Sequence, residues 1–367
     1  MKIKVIAASF LILCINLAIN SQSKKNFYDK DPLEKNLGLA DRAGGAHNIN
    51  KIGLFFENRG KLYPRRITQG PSGEYPINSG RHYIYRLNPM VGIPGNVIQG
   101  RFTTNEEWEA VGGFHNPEKV KIAFSDDPKS WHPENGWPVK DANGNPIFIS
   151  DQDSYCVYDD AANSRTKLNI EVHPKGYAFG SKLAENIIFF EFLIINKGTQ
   201  NLDKLYFAMY TDIDVGNVSG GVPEYADDKI GFEKDKNFLY FYDADNFSSE
   251  WPGNMPGYMG ISFLKTPKVN DVELGVTDMH YNLYDDDSEQ DTILYGIMSS
   301  SESLYNSSLG SRYFHLGPSN NIHFDDPSTI PASGLDIVAT ISSGPYNLNV
   351  NDTLKFITAL IAGDNYE

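Results

Sequence analysis

The sequence is poor in cysteine, with two residues in 367. Cys14 lies in an N-terminal apolar run and Cys156 lies in a strand-like stretch. If the apolar run is removed during export, Cys156 is the only cysteine left, and no intramolecular disulfide can form. A chain of this length can bury a large core without such cross-links. We expect Cys156 to be a buried, unreactive thiol rather than a nucleophile.

Long apolar runs are also missing after the first residues. Two lysines precede an apolar stretch from Val5 to Ile19, which is too short to span a membrane. This is the pattern of a signal peptide, and small residues favour cleavage after Ser21. We therefore predict a signal peptide over residues 1–21 and a mature chain without a transmembrane segment. Export without disulfides is typical of bacteria.

Basic residues are scarce, with 32 Lys and Arg against 47 Asp and Glu and a formal net charge of −15. Two of the lysines belong to the predicted signal peptide, so the mature chain keeps 30 basic residues and a net charge of −17. Such a surface repels phosphate backbones and anionic membranes, which argues against nucleic-acid and lipid partners. It suits a protein that collects divalent cations, and equally one whose acidity only keeps it soluble.

The motifs of common enzymes are absent. The chain has no G-x-S-x-G, no H-E-x-x-H and no glycine-rich phosphate loop. Glu171 and His173 would share one face of a strand in "NIEVHP", but such a pair is more often structural than catalytic. In a chain with 47 acidic residues, some pair of carboxylates will always lie at the distance that glycoside hydrolysis requires. Such a pair is therefore no evidence for that activity. The sequence therefore predicts no catalytic residue and no organic cofactor.

What the chain does contain is a succession of short strand-like segments, rich in β-branched and aromatic residues and bounded by Gly, Pro, Asn or Asp. These predict an all-β fold, a large antiparallel β-sandwich with two packed β-domains as a variant. The one helix candidate is Thr104 to Phe114, where Thr104 would cap the first turn. The strand candidates are "KIGLFFEN", "RHYIYRL", "GNVIQGRF", "KVKIAFS", "NIIFFEFLIIN", "KLYFAMYT", "NFLYFYDADN", "YMGISFL", "LDIVATISS" and "TLKFITALIAG".

A loop-rich passage at residues 125–155 separates two strand-rich regions. It contains several large aromatic residues, which favours a packed loop over a free tether. Those aromatic residues are Trp131, Trp137, Phe148 and Tyr155. We predict an N-terminal β-rich region over residues 22–130 and a main β-sandwich domain over residues 131–367, which begins with a loop-rich entry at residues 131–155.

Several motifs, in their order along the chain, carry a resemblance. They are "FFENRGKL", "PSGEYPINSGRHYIYRLNPMVG", "SWHPENGWP", "DQDSYCVYDD", "IEVHPKGYAF", "IIFFEFLIINKG", "YTDIDVGN", "DDKIGF", "YMGISFLKTP" and "SGPYNLNVNDTLKFITALIAG". The chain resembles an uncharacterised family of secreted or cell-surface β-rich proteins of Bacteroidota-like bacteria, many of which carry a C-terminal type IX secretion sorting domain.

This resemblance implies a secreted protein or one on the outer surface of a Gram-negative-type bacterium, with the periplasm as the alternative. No activity is established for this family, so the resemblance implies none. The sorting domain does not follow the final "GDNYE", so we expect either a fragment or a protein that has lost this anchor.

The main candidate site is the acidic loop "YTDIDVGN" at residues 210–217. Its two aspartates alternate along an extended segment, so their carboxylates point the same way, and Gly216 lets the backbone turn. Hard oxygen ligands suit Ca²⁺, although the EF-hand spacing is missing. The alternative is an Asx-turn. The predicted ligands, some from the following acidic segment, are Asp212, Asp214, Asn217, Asp227 and Asp228.

A secondary Ca²⁺ candidate is "DANGN", where Asp141, Asn143 and Asn145 alternate; it is equally a hairpin turn. A weaker one is "YDADN", from Asp243 to Asn246. The run "YDDDSEQD" is expected to be a solvated loop.

Together these features predict an exported structural, adhesive or ligand-binding protein, stabilised by Ca²⁺, with a glycan or a cell-surface protein as its partner. The alternatives are an extracellular hydrolase acting on polysaccharide or peptide, and a carbohydrate-binding module. An aromatic platform on an open sheet face would favour carbohydrate binding. A deep cleft with two carboxylates, or with a histidine and a carboxylate, would favour the hydrolase.

Overall fold

The structure is a computed structural model that describes residues 41–100, 107–119, 122–217, 224–251, 253 and 255–365. The predicted signal peptide lies outside these residues. Strands β1 to β10 are Gly44–His47, Gly53–Glu57, Ser72–Glu74, Ile84–Ile93, Asn96–Gln99, Glu109–Ala110, Ala123–Phe124, Gln152–Tyr155, Tyr158–Asp159 and Ile170–Ala178. Strands β11 to β20 are Ile187–Asn196, Leu202–Ile213, Asp228–Glu233, Phe238–Asp243, Tyr258–Lys265, Lys268–Val269, Val272–Glu273, Asp278–Leu283, Ile337–Leu348 and Thr353–Gly363.

Three short α-helices lie between β18 and β19: α1 (Asp291–Met298), α2 (Glu302–Tyr305) and α3 (Gly310–Tyr313). None of the described helices is long and apolar enough to cross a membrane. Single 3₁₀ turns are Ile67–Gln69, Pro128–Ser130, Glu224–Asp227, Lys234–Lys236, Tyr284–Asp286 and Pro327–Thr329.

Two large antiparallel sheets dominate the fold. The ten-stranded sheet has the order β13-β14-β15-β20-β11-β10-β8-β7, and β9 pairs with both β10 and β6. The five-stranded sheet has the order β18-β19-β12-β4-β5. Strands β1 to β3 form a small third sheet, and β16 pairs with β17. The prediction of an all-β, antiparallel sandwich is confirmed.

The hydrophobic core lies between the two large sheets, where each strand turns alternate side chains inward. Phe207 of β12 is at its centre and is fully buried. Its ring stacks on Phe356 of β20, with centroids 4.4 Å apart, and packs against Phe192 of β11 at 5.3 Å. Phe263 of β15 completes the cluster at 5.8 Å. Aromatic residues from four strands thus hold the sheets together.

Other segments cover parts of the outer faces. Helix α1 packs Leu294 and Met298 against β12 on the outer face of the five-stranded sheet. The loop-rich passage packs Trp137 against Tyr155, and Trp137 is 1% exposed. The passage is therefore a packed loop, as expected from its aromatic residues. Strands from before and after residue 130 share both large sheets, since β4 pairs with β12 and β7 pairs with β8.

The helix expected from Thr104 to Phe114 is not formed over residues 107–114, the part that the structure describes. Glu109–Ala110 is instead strand β6, paired with β9. Trp108 is buried and meets the Tyr158 ring edge-on at 5.1 Å. Burial of this large aromatic side chain outweighs the weak helix propensity of the segment.

Candidate metal centre

The loop that ends β12 brings two of the predicted ligands together. Asp212 and Asp214 are 0% and 1% exposed, and their carboxylates converge with that of Asp336, which directly precedes β19. One carboxylate oxygen from each lies within 4.8 Å of the others. Asp212 lies opposite Arg86 in the register of β12 and β4, and the buried guanidinium of Arg86 interacts favourably with its negative charge. We name Asp212, Asp214 and Asp336 the inner cluster.

A second group of carboxylates forms where β13 begins and β14 ends. Asp227, Asp243 and Asp245 each place one carboxylate oxygen within 4.8 Å of the other two. The antiparallel pairing of Asp228 with Asp243 brings the two strand ends side by side. Asp243 Oδ1 accepts the backbone amides of Asp245 and Phe247, at 3.1 and 3.0 Å, which turns the chain sharply after β14. We name these three aspartates the outer cluster.

The outer cluster has polar atoms that no described donor satisfies. Asp243 is 5% exposed, and its Oδ2 accepts no hydrogen bond from any described residue; the same holds for the buried Asp227 Oδ1. Burial and the nearby carboxylates of Asp227 and Asp245 raise the pKa of Asp243 to about 7. Burial, Asp245 and Glu224 raise the pKa of Asp227 to about 6. The ionised carboxylates are therefore costly here unless a cation lies among them.

The spacing of these oxygens fits a hard cation. Calcium binds oxygens at about 2.3–2.6 Å, so two of its ligands lie at most about 5.2 Å apart. Oxygens within 4.8 Å of one another meet this limit. Asp245 is exposed, so an ion could enter from solvent and keep water ligands.

The remaining predicted ligands have other partners. The carboxylate of Asp228 accepts the Val215 amide at 3.1 and 3.2 Å, and belongs to neither cluster. The side-chain amide of Asn217 donates to Glu250. The Ser248 hydroxyl donates to the Gly216 carbonyl at 2.9 Å. The two predicted acidic loops therefore pack against each other, but their five ligands are divided rather than gathered at one point.

Glycine is required at position 216. Its φ of 106° lies in the left-handed region. A Cβ at this position would lie 2.9 Å from Cβ of Glu224, so the close approach of the two loops also depends on it.

The secondary candidate has the geometry of a turn. Asp141 Oδ1 accepts the amides of Asn143 and Asn145, both at 2.8 Å, and Oδ2 accepts the Asn145 side chain at 3.0 Å. These hydrogen bonds, led by the Asn145 side chain, lower the pKa of Asp141. All three residues are exposed. Because the Asp141 carboxylate already accepts hydrogen bonds from within the loop, this segment has the geometry of a hairpin turn rather than that of a Ca²⁺ site.

The sequence gives no indication of Asp336, and it indicates Asp243 and Asp245 only through the segment "YDADN". Asp336 reaches the inner cluster because β19 pairs with β12, a contact between distant parts of the chain. No local pattern signals it. The outer pair did carry a signal, the alternating aspartates of "YDADN", but its partner Asp227 is supplied by strand pairing.

Glu171 and His173 do meet, within a three-residue network. His173 Nε2 lies 2.8 Å from Glu171 Oε1, and Nδ1 lies 2.6 Å from the Tyr155 hydroxyl. Both ring nitrogens are thus engaged by neighbours on β8 and β10, as in a structural pair. Cys156 is buried, and burial raises the pKa of its thiol, which fits the expectation of an unreactive cysteine.

One further cluster has the order of a hydrolase triad. His280 Nδ1 lies 3.0 Å from Asp325 Oδ1, and its Nε2 lies 2.8 Å from the Ser300 hydroxyl. Ser300 has a positive φ of 46° and is 5% exposed. The hydroxyl donates its single proton to Asp278, however, so it cannot donate to His280 as an activated nucleophile must. The network instead joins β18 to the segments on either side of helices α2 and α3.

We expect a fluorophosphonate probe, which labels activated serines, to leave Ser300 unmodified. The hydroxyl is buried and its proton is committed to Asp278. Mass spectrometry of the native protein after treatment gives the readout, with heat-unfolded protein as the unreactive background. Labelling of the native chain that disappears in Ser300→Ala would contradict the structural role.

Comparisons with known proteins do not identify a family for this chain. The chain matches no protein-family model, and it matches no curated protein sequence. Among solved structures it is similar to a polysaccharide lyase, with a TM-score of 0.30 and 9% identity, over 89% of this chain and 33% of that one. It is also similar to a copper-containing benzylamine oxidase from Hansenula polymorpha, with a TM-score of 0.34 and 8% identity, over 86% and 59%.

This chain thus spans about a third and about three fifths of those two proteins. The likeness concerns the β-rich fold alone.

Proposed function

We propose that the mature chain is an exported β-sandwich protein, stabilised by Ca²⁺, with a structural, adhesive or ligand-binding role at or outside the cell surface. The observation that carries the calcium part is the outer cluster. Its three carboxylates converge within 4.8 Å, and two of its buried oxygens have no described donor. A divalent cation would supply the missing partner and cancel their mutual repulsion.

The ligand chemistry favours Ca²⁺ over other metals. The outer cluster offers only carboxylate oxygens, without histidine or cysteine, which suits a hard cation. Magnesium prefers a near-ideal octahedron at about 2.0–2.1 Å, whereas Ca²⁺ tolerates irregular sets of six to eight oxygens completed by water. The outer cluster is a better candidate than the inner one because Asp212 already faces the buried Arg86.

We expect Ca²⁺ to raise the melting temperature of chelator-treated protein. Binding to the folded state alone contributes about 2.7 kcal/mol at a free concentration of one hundred times Kd. Differential scanning calorimetry with and without CaCl₂ measures the shift, and isothermal titration gives the stoichiometry. The Asp243→Asn variant should lose the shift. In the absence of Ca²⁺ it should be more stable than wild type above about pH 7, because the substitution removes a carboxylate whose charge is disfavoured by burial and by the carboxylates of Asp227 and Asp245.

Two further variants show which of the two clusters binds the ion. Asp141→Asn also alters an aspartate in a turn, but outside both clusters, and should keep the full Ca²⁺ response. If Asp336→Asn abolishes the response while Asp243→Asn retains it, the ion belongs to the inner cluster. No heat and no thermal shift in the wild-type protein would refute calcium stabilisation.

Among the alternatives, the carbohydrate-binding one has support from a specific feature. Half-buried aromatic residues line an open groove on the outer face of the ten-stranded sheet. Among the described residues, the hydrolase alternative lacks such a feature. In the networks of His173 and His280, both ring nitrogens are hydrogen-bonded to neighbouring side chains, as in structural clusters.

A further inference from the structure

The groove lies across β14, β15 and β20, in the part of the ten-stranded sheet away from the packed loop. Along β14 the side chains alternate, with Leu239 and Phe241 buried in the core and Phe238, Tyr240 and Tyr242 half-buried on the outer face. Tyr258 of β15 lies on the same outer face. We name the groove that Phe238, Tyr240 and Tyr258 help to line the aromatic groove; its volume is about 430 Å³.

The rings form a continuous layer. Phe238 stacks on Tyr240, with centroids 5.4 Å apart and planes inclined by 28°. Tyr242 stacks on Tyr258 at 5.6 Å and 23°, and Tyr240 lies 6.2 Å from Tyr258. Half-buried rings therefore follow one another along the strand direction on this face of the sheet, and a ligand with several flat units can lie along them.

Two glycines on the neighbouring strands make room for these rings. A Cβ on Gly231 of β13 would lie 2.2 Å from Cζ of Tyr240, so the Tyr240 ring lies directly over that glycine. A Cβ on Gly260 of β15 would lie 2.8 Å from Cε2 of Phe238. A larger residue at position 231 would displace the Tyr240 ring, and one at position 260 would first meet the backbone of β14, with the Leu239 carbonyl oxygen at 2.3 Å. The platform is thus formed by three adjacent strands together.

The walls of the groove are polar and balanced in charge. Lys182 and Asn186 come from the connection between β10 and β11, and Asp364 follows β20. Lys51 also lines the groove and forms an ion pair with Glu185 at 2.7 Å. The lining therefore carries two lysines and one carboxylate, and Glu185, outside the lining, neutralises one of the lysines. The volume is within the range of sites that bind small ligands, about 300–1,000 Å³.

We propose that the aromatic groove binds an uncharged oligosaccharide. A pyranose ring has an apolar C–H face, which stacks on an aromatic ring, and a rim of hydroxyls, which the lysine, amide and carboxylate groups of the walls can bond. The balanced local charge selects against ionic ligands, and the acidic chain as a whole repels polyanions. This proposal rests on the ligand-binding part of the proposed function and assigns it a site and a ligand class.

The test uses the purified mature chain in buffer with CaCl₂. A glycan array of neutral and anionic oligosaccharides finds the ligand, and isothermal titration with the best neutral oligosaccharide gives Kd. We expect neutral glycans to bind. Tyr240→Ala and Tyr258→Ala should each weaken binding by about tenfold or more, as for aromatic residues at the centre of an interface. Tyr240→Phe keeps the stacking face and should stay within about threefold of wild type.

Tyr177→Ala is the matched control. Tyr177 is a half-buried tyrosine of the same sheet, on β10, and does not line the groove. It should bind like wild type, and thermal unfolding checks that every variant is folded. The proposal would be overturned by a blank array, by binding of anionic glycans alone, or by an equal loss of affinity in Tyr177→Ala. Binding of proline-rich peptides in place of glycans would also overturn it. Because the calcium shift is measured on the same protein without glycan, either proposal can fail while the other stands.

Discussion

Replacing Phe207 by alanine is expected to lower the free energy of unfolding by about 3–5 kcal/mol. Phe207 is fully buried and packs against aromatic residues of three strands of the opposite sheet. Truncation removes its own buried apolar surface. It also leaves a cavity between the two sheets. Because the strands of both sheets are held by their pairing, they can move only partly into this cavity. Urea unfolding followed by circular dichroism measures the change.

Phe148→Ala is the appropriate comparison. Phe148 also contacts aromatic residues, with Trp131 at 6.0 Å and Trp137 at 5.6 Å, but its side chain is in the loop and 49% exposed. We expect a loss of less than about 1.5 kcal/mol, because little surface leaves water at this site. Equal losses in the two variants would mean that Phe207 is not the centre of the core.

The strands could be predicted because their signals are local. Thr353–Gly363 coincides with "TLKFITALIAG", and Ile187–Asn196 with "NIIFFEFLIIN" less its first residue. Alternating burial produces that signal within each segment. The order of strands could not be predicted in this way, since β20 lies between β11 and β15 through pairings of distant segments. Helix α1 was missed because five of its eight residues are buried, and a short apolar run has no distinctive period.

The candidate site was predicted in part, for a similar reason. Alternation along an extended segment correctly places Asp212 and Asp214 in one cluster. That rule does not extend to Asp227 and Asp228, because Asp227 ends a 3₁₀ turn and Asp228 begins β13. Asp227 joins the outer cluster while Asp228 accepts the Val215 amide. The partners Asp336 and Asp243 come from strand pairing, which a single sequence does not reveal.

Strand β14 connects the two proposals. Its last residue, Asp243, belongs to the outer cluster, and its outward residues Phe238 and Tyr240 line part of the aromatic groove. A cation bound by Asp227 and Asp243 would join the start of β13 to the end of β14. The Tyr240 ring lies across these same two strands, over Gly231. Calcium and glycan would thus both act on β14, the one at its end and the other along its outer face.

Acidification from pH 7 to pH 4 is expected to cost the fold about 3 kcal/mol through His47 alone. His47 is 0% exposed and stacks on Phe56. Burial lowers its pKa from 6.5 to about 4, although the hydrogen bond to Gln152 opposes this. The unfolded chain therefore takes up a proton as the pH falls through 6.5, while the folded protein does so only near pH 4. A difference of one pKa unit corresponds to about 1.36 kcal/mol.

The sign of this effect distinguishes His47 from the carboxylates. Stability attributable to His47 is complete above pH 6.5 and is lost progressively down to about pH 4, below which the loss is constant. His47→Gln keeps a polar side chain between Gln152 and Ser154 but has no proton to gain. Urea unfolding of both proteins at intervals between pH 4 and pH 7 should show their stabilities converging as the pH falls. A constant difference across that range would mean that His47 is not kept neutral by its burial.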